Sequence, residues 1–517
     1  MTEKEAVLSM EMNDPKEDTN RPARRVKPVL SLSKSLYIRG LQCHKSLYLE
    51  KFHRDLKGEV TAETQRLFDL GHAVGKTAQG LFPGGVLVPY IDSRNGISEQ
   101  VRLTREAMER GAGTIYEASF EHDGIFVRVD ILHKGKHGWE IHEVKAGTKL
   151  DPVYVDDVAL QYYVVTGAGL EVDHAGLCHI NKDYTRRGDL NVGGLFTSLD
   201  ITGQVKESQP FVVEQLRSQR RMLEGNLPDI DIGPHCTQPY ECDYRDHCWK
   251  HIPADSVFEL RGRGVDPFVL YARGIVKQEE IPLDLLNPAQ RQQVVATMRR
   301  ESHIDGERIR DFLTALSYPL YLLDFETFMC PIPLFEGTRP YQSVPFQYSL
   351  HSLDREGGEL RHREFLAEPC VDPRRPFLES LLAEVPEGAC ILAYNMSFEK
   401  SVLRELAARF PEHGEAVERR IERIRDLMAP FRRRDIYLWK FKGSYSIKQV
   451  LPALVPELSY QGLSIADGNA AMDAYHRMCA AKDSPGKLLE IRRNLLDYCR
   501  LDTLAMVRIL ENLRKMI

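Results

Sequence analysis

Apolar and polar positions along the chain change rhythm several times. The segment Leu36-Tyr37-Ile38-Arg39-Gly40-Leu41-Gln42-Cys43-His44-Lys45-Ser46-Leu47-Tyr48-Leu49 places apolar residues near helical spacing. The serines of Ser31-Leu32-Ser33-Lys34-Ser35 precede it as a cap. Thr61 to Ala78 repeats the amphipathic pattern. The rhythm then shortens to that of strands. Ile125-Phe126-Val127-Arg128-Val129-Asp130-Ile131-Leu132 and Trp139-Glu140-Ile141-His142-Glu143-Val144-Lys145 read as a close pair joined through a Gly- and His-containing turn. Val155 to Val165 returns to helix, and residues 254–317 carry helical periodicity interrupted by Gly and Pro. Further on, Leu320–Phe328, Phe346–His351 and Cys390–Asn395 read as strands. A helix opens at Met396 and a strong amphipathic helix runs from Leu488 to Leu510. The mixture predicts an α/β chain.

Length adds that one core is not enough: 517 residues suggest two to four domains. Apolar content of 43% and charged content of 28% are ordinary for a globular protein. A net charge of −6 argues against binding a polyanion by bulk charge and leaves a locally basic groove open. No apolar run reaches the ~18 residues of a membrane span, and the charged amino terminus lacks a secretory core. The expectation is a cytoplasmic protein whose ten cysteines stay reduced, buried or metal-bound. Residues 1–28 mix charges with Pro, Asn and Thr and are expected to be a disordered tail.

Candidate chemistry falls in three places. In Asp324-Phe325-Glu326 the two acids share one face of a strand, where burial without a cation costs several kcal/mol. A divalent metal is the simplest remedy, and a half-buried strand with solvated acids is the plain alternative. Later residues complete a set: Glu399 at a helix start after Asn395, and Tyr498 with Asp502 four apart on the last helix. Four carboxylates can hold two divalent ions about 4 Å apart, the arrangement that clamps a phosphodiester. Asp426 is a spare acid, and Asn395, Lys448 and the run Arg432–Arg434 are candidates for contacting a phosphate backbone.

The second set is Asp130, Glu143 and Lys145, with Gln161 on the helix behind them. Two acids hold a metal while the lysine orients water and stabilises developing charge; otherwise Glu143 and Lys145 are a surface pair on an edge strand. His72 is a weak additional metal candidate. The third set is Cys236, Cys242 and Cys248 in a Pro- and Asp-containing loop, with distant Cys43 as the fourth thiolate of a tetrahedral metal site, zinc being one candidate.

The order Asp130, Glu143-x-Lys145, Gln161 resembles the RecB-type nuclease core of the PD-(D/E)XK superfamily. That resemblance implies magnesium or manganese on the two acids, a catalytic lysine and a supporting glutamine, with His72 at the place of the family's upstream histidine ligand. No tyrosine lies four residues after Gln161, where the family usually has one. One amino-terminal cysteine plus a later three-cysteine cluster resembles the iron–sulfur nucleases AddB and the CRISPR-associated RecB-like exonucleases, which implies a [4Fe–4S] cluster on Cys43, Cys236, Cys242 and Cys248. Asp324-x-Glu326 with Tyr498-x-x-x-Asp502 resembles the tyrosine variant of the DEDD exonucleases on the ribonuclease H fold, with Glu399 in place of the family's aspartate.

Together these imply a RecB-like iron–sulfur nuclease domain over 29–253, a helical connector over 254–317 and a ribonuclease H-like mixed-sheet domain over 318–517. The expected activity is metal-dependent hydrolysis of DNA phosphodiesters, exonucleolytic on single strands, at two catalytic centres. An RNA-directed exonuclease, or a nucleic-acid-binding repair or defence scaffold with a degenerate site, are the alternatives.

Overall fold

The computed structural model describes residues 31–93 and 95–517; the tail expected over 1–28 lies outside them. The class is mixed α/β, and among the described residues it is built on two large sheets with a small two-stranded one beside them. The first contains β1 (Leu32–Ser33), β2 (Val86–Leu87), β3 (Thr114–His122), β4 (Ile125–Lys134), β5 (Trp139–Lys145), β6 (Val172–Ile180) and β7 (Phe196–Asp200). Its order is β2-β3-β4-β5-β6-β7, with β1 lying parallel against β4. Between β3 and β4 the turn is Asp123-Gly124, both at positive φ (51° and 68°), the two-residue hairpin that suits strand twist.

The helices α1 (Lys34–Gln42), α2 (His44–Phe52), α3 (Ala62–Ala78), α4 (Gly96–Glu109) and α5 (Pro152–Gly167) surround this sheet. On one face Val127, Val129, Leu132 and Ile141 pack with Tyr37, Ala107, Val158 and Val165. Each such side chain contributes roughly 1.5–3 kcal/mol when fully buried. On the other face Val74 and Ala78 of α3 meet Ile131 and Ile180.

The helical pattern over 36–49 is not one helix but two. Cys43 is extended (φ −163°, ψ 117°) and serves as both the end of α1 and the cap of α2. Gly40 explains the placement of α1. A Cβ there would stand 2.4 Å from buried Gln219 on the helix Gln209–Glu224, and Gln219 donates to the Tyr37 carbonyl at 3.0 Å.

The connector is only partly helical. Helices Pro267–Tyr271, Pro288–Arg299 and Gly306–Thr314 alternate with 3-10 turns around a small core of Val257, Leu260, Leu270, Ile281, Leu286 and Val294. Pro267 and Pro288 stand in the first turn of two of these helices, where a missing amide costs nothing, and the helix Pro288–Arg299 ends at Arg300 in the left-handed conformation (φ 53°).

A short strand β8 (His303–Ile304) precedes the second sheet, which holds β9 (Leu320–Phe328), β10 (Val344–Leu353), β11 (Arg361–Leu366), β12 (Cys390–Ala393) and β13 (Ile424–Asp426). Its order is β11-β10-β9-β12-β13; β14 (Ile436–Tyr437) pairs with β8 instead. Strand β9 is central, antiparallel to β10 and parallel to β12. Its period of two is visible in the packing. Leu320 and Leu322 face the helix Pro485–Lys515, whereas Leu323 and Phe325 face helices Arg374–Glu384 and Met396–Arg409. Asp324 and Glu326 continue the row of Leu320 and Leu322, as their spacing requires.

The two sheets are joined by specific contacts. Arg186 Nη1 donates to the carbonyls of Pro333 and Leu334, both at 3.0 Å, and Tyr341 donates to the Ala146 carbonyl. Ile332 and Tyr341 pack against the core that holds Val74 and Ile131. On α3, Arg66 pairs with Asp473 at 3.1 Å, tying it to the helix Gly468–Ala480.

Candidate active sites

The first site forms where β4 and β5 part. Their ladder ends at Ile131 opposite His142, so the next pair, Asp130 and Glu143, lies beyond it. The Val144 amide, which no longer has a ladder partner on β4, donates to Asp130 Oδ2 at 2.7 Å. Glu143 is 1% exposed and fully engaged: Lys145 Nζ reaches Oε1 at 2.7 Å, Lys34 Nζ reaches the same oxygen at 2.9 Å, and Gln161 donates to Oε2 at 2.7 Å. Lys145 also pairs with Asp157, and Lys34 stands 3.5 Å from it.

Charges follow from this geometry. Burial would raise the Glu143 carboxyl, but the two lysines outweigh it and hold it well below the usual range. Burial and the neighbouring Glu143 push Asp130 up to about 7. Burial would depress both lysines, yet the surrounding acids keep them firmly protonated.

Three acids and two lysines meet here, and Lys34 and Asp157 were not singled out in the sequence. Asp157 had a legible signal, since it precedes Gln161 by four residues and shares its helix face. Lys34 had none, because 109 residues separate it from Glu143. His72 is exposed on α3; that helix packs on β5, but His72 makes no hydrogen bond to Asp130 or Glu143.

The second site gathers acids from three elements. Asp324 and Glu326 come from β9, Glu399 from the first turn of Met396–Arg409, and Asp502 from Pro485–Lys515. Burial, then the charges of Asp502 and Glu326, push Asp324 well up; burial and Asp502 do the same to Glu326, opposed by Lys448. Glu399 is pushed up to about 8 by burial and by Asp426, and its Oε2 is buried without a hydrogen-bond partner. Burial lifts Asp502 to about 6, against hydrogen bonds from Tyr460 and Tyr498.

Among the described residues, four acids therefore face the nearby cation Lys448, and that is a donor set suited to divalent ions. Among the described residues, Asp324, Glu326 and Cys499 are the group whose ligand atoms all lie within 4.8 Å of one another.

A family model described as a domain of unknown function, DUF2779, matches residues 321–446. The match spans Asp324, Glu326 and Glu399 and stops before Lys448, Tyr498 and Asp502. No curated protein matches the chain. A solved structure, that of SSO0001, is 10% identical over 45% of this chain and 89% of that one, with a TM-score of 0.24.

Several expectations at the second site change on contact with geometry. Asp426 is not a spare ligand: Arg432 pairs with it at 3.0 Å and the Met428 amide donates to it. The basic run Arg432–Arg434 is likewise spent internally, with Arg433 on Asp435 and Arg434 on the Ala289 carbonyl. Asn395 is exposed at the cap of its helix and its side chain makes no capping bond. Tyr498 is buried on the Asp502 face, as the four-residue spacing requires, but a second tyrosine from a loop also reaches this acid. The Tyr460 hydroxyl donates to Asp502 Oδ1 at 2.6 Å.

The thiols converge as well. Cys43, Cys236, Cys242 and Cys248 line one cavity with Lys45, Ser46 and His235. The break at Cys43 sets its sulfur at the start of α2, where burial pushes the thiol up and the Ser46 and Lys45 amides only partly offset it. No three of these sulfurs lie within 4.8 Å of one another, whereas thiolates bound to a single zinc at about 2.3 Å stand roughly 3.8 Å apart. His247 carries a buried Nδ1 without a partner beside Cys248.

Proposed function

We propose that this protein is a divalent-metal-dependent nuclease that hydrolyses DNA from the ends of single strands, with two catalytic centres and a structural iron–sulfur cluster. One observation carries the reading: three buried carboxylates and the half-buried Asp324, from β9 and two helices up to 178 residues apart in sequence, meet around Tyr460 and Tyr498, with Lys448 the nearby cation among the described residues. Such a set is stable when divalent ions neutralise it, and magnesium or manganese supplies charge stabilisation to the phosphodiester. Asp324, Glu326, Glu399 and Asp502 would hold the ions, and a tyrosine hydroxyl beside Asp502 would orient water. Lys448 and Asn395, both exposed at helix starts, are suited to phosphate.

At the first site Asp130 and Glu143 would hold a metal, while Lys145 stabilises developing charge and Gln161 fixes Glu143. The domain assignments follow: a RecB-like half, a partly helical connector and a ribonuclease H-like half.

The direct test uses single- and double-stranded DNA and RNA, labelled at either end, with manganese and with chelator. The expected result is metal-dependent shortening of single-stranded DNA from an end. Preference for RNA would move the substrate; binding without cleavage would favour the scaffold reading.

The cluster has its own test. Cys43→Ser should abolish protein-bound iron and the visible absorbance of anaerobically purified protein, and lower the melting temperature. Finding one zinc per chain instead would replace the cluster with a single ion.

A further inference from the structure

We propose that Cys499 is a ligand of the second site, which therefore takes a thiophilic divalent ion of the zinc and cadmium class as well as a hard one. The inference rests on reading the four acids as a metal site. Cys499 is completely buried, and its Sγ stands 3.8 Å from Asp324 Oδ2. Together with one oxygen each of Asp324 and Glu326 it makes the tight group already described. It precedes Asp502 by three residues on the same helix, so both side chains point toward β9.

A buried cysteine on a helix is ordinarily a small apolar filler. This one faces two carboxylates rather than a core. The independent sign that a cation belongs here is Glu399, 3% exposed, with an oxygen that has no hydrogen-bond partner. Carboxylates alone favour magnesium, calcium or manganese, and one added thiolate shifts preference toward softer ions. On binding, the Cys499 thiol releases its proton to solvent and a sulfur–metal bond forms, with no change of oxidation state.

The test is a cadmium titration of the full-length, cluster-loaded protein, following the ultraviolet charge-transfer band of cadmium thiolate. Wild type is compared with Cys499→Ser, Cys499→Ala and Asp324→Asn, with thermal melts to show that each is folded. The expected result is one cadmium–thiolate equivalent lost in both cysteine variants, with cadmium affinity at this site reduced at least about tenfold and magnesium affinity nearly unchanged. If both cysteine variants keep the full band while Asp324→Asn loses metal, Cys499 is filler and the inference fails, but the metal site stands. If Asp324→Asn also leaves manganese and cadmium binding unchanged, the inference falls together with the proposed second centre.

Discussion

Lys145→Ala is expected to lower cleavage at the first site by about 10²–10³-fold, the size of losing one preorganised charge-stabilising donor. The protein should remain folded. Glu143 keeps Lys34 at 2.9 Å and Gln161 at 2.7 Å, so its buried charge is still compensated when Lys145 is gone. Lys34→Ala offers the contrast. It removes the same kind of ion pair and leaves Lys145 in place, so a smaller effect on rate is expected. The measurement is hydrolysis of labelled single strands by each variant in an Asp324→Asn background, which silences the second site. Equal rates for Lys145→Ala and its parent would remove the first site from the reaction.

Stripped of divalent ions, the protein should lose stability as pH rises through the neutral range. Glu399 has an ordinary value of 4.5 and a folded value of about 8; Asp502 moves from 3.8 to about 6. Between those limits the native state binds more protons than the unfolded chain, so stability falls with rising pH. Glu143 is displaced the other way, and its contribution is lost only in acid, below that window. The net effect is on the order of a few kcal/mol. Thermal melts in chelator at about pH 5.5 and about pH 8.5 should show the lower midpoint at the higher pH, and manganese should erase the difference by binding the native carboxylates. A higher midpoint at alkaline pH without metal would mean that these acids are compensated by other means.

Much of both centres was legible because strand spacing and helix spacing are strict. Asp324 and Glu326 share a face because β9 alternates, and Tyr498 and Asp502 because they are one helical turn apart. The same logic paired Asp130 with Glu143 once two adjacent strands were recognised. What stayed hidden depends on tertiary approach. Lys34 and Tyr460 enter from a strand–helix junction and a loop, with no periodicity that points inward. The arginines at 432–434 misled for a related reason: a run of charge looks solvated in sequence, yet local turns bring Asp426 and Asp435 to it. Cys43 was placed on a continuous helix because the break there is set by backbone geometry and carries no Gly or Pro.

The carboxy-terminal helix Pro485–Lys515 has a bearing on how this module could be moved between proteins. It supplies Asp502 and Cys499, and its Ala505, Met506, Ile509 and Leu510 cover the sheet face that begins with Leu320 and Leu322. The segment 321–446 that the family model spans is therefore shorter than the unit able to stand alone. Excised at those limits it would present an uncovered apolar sheet and an incomplete acid set, so the smallest portable module extends to the last turn of the chain.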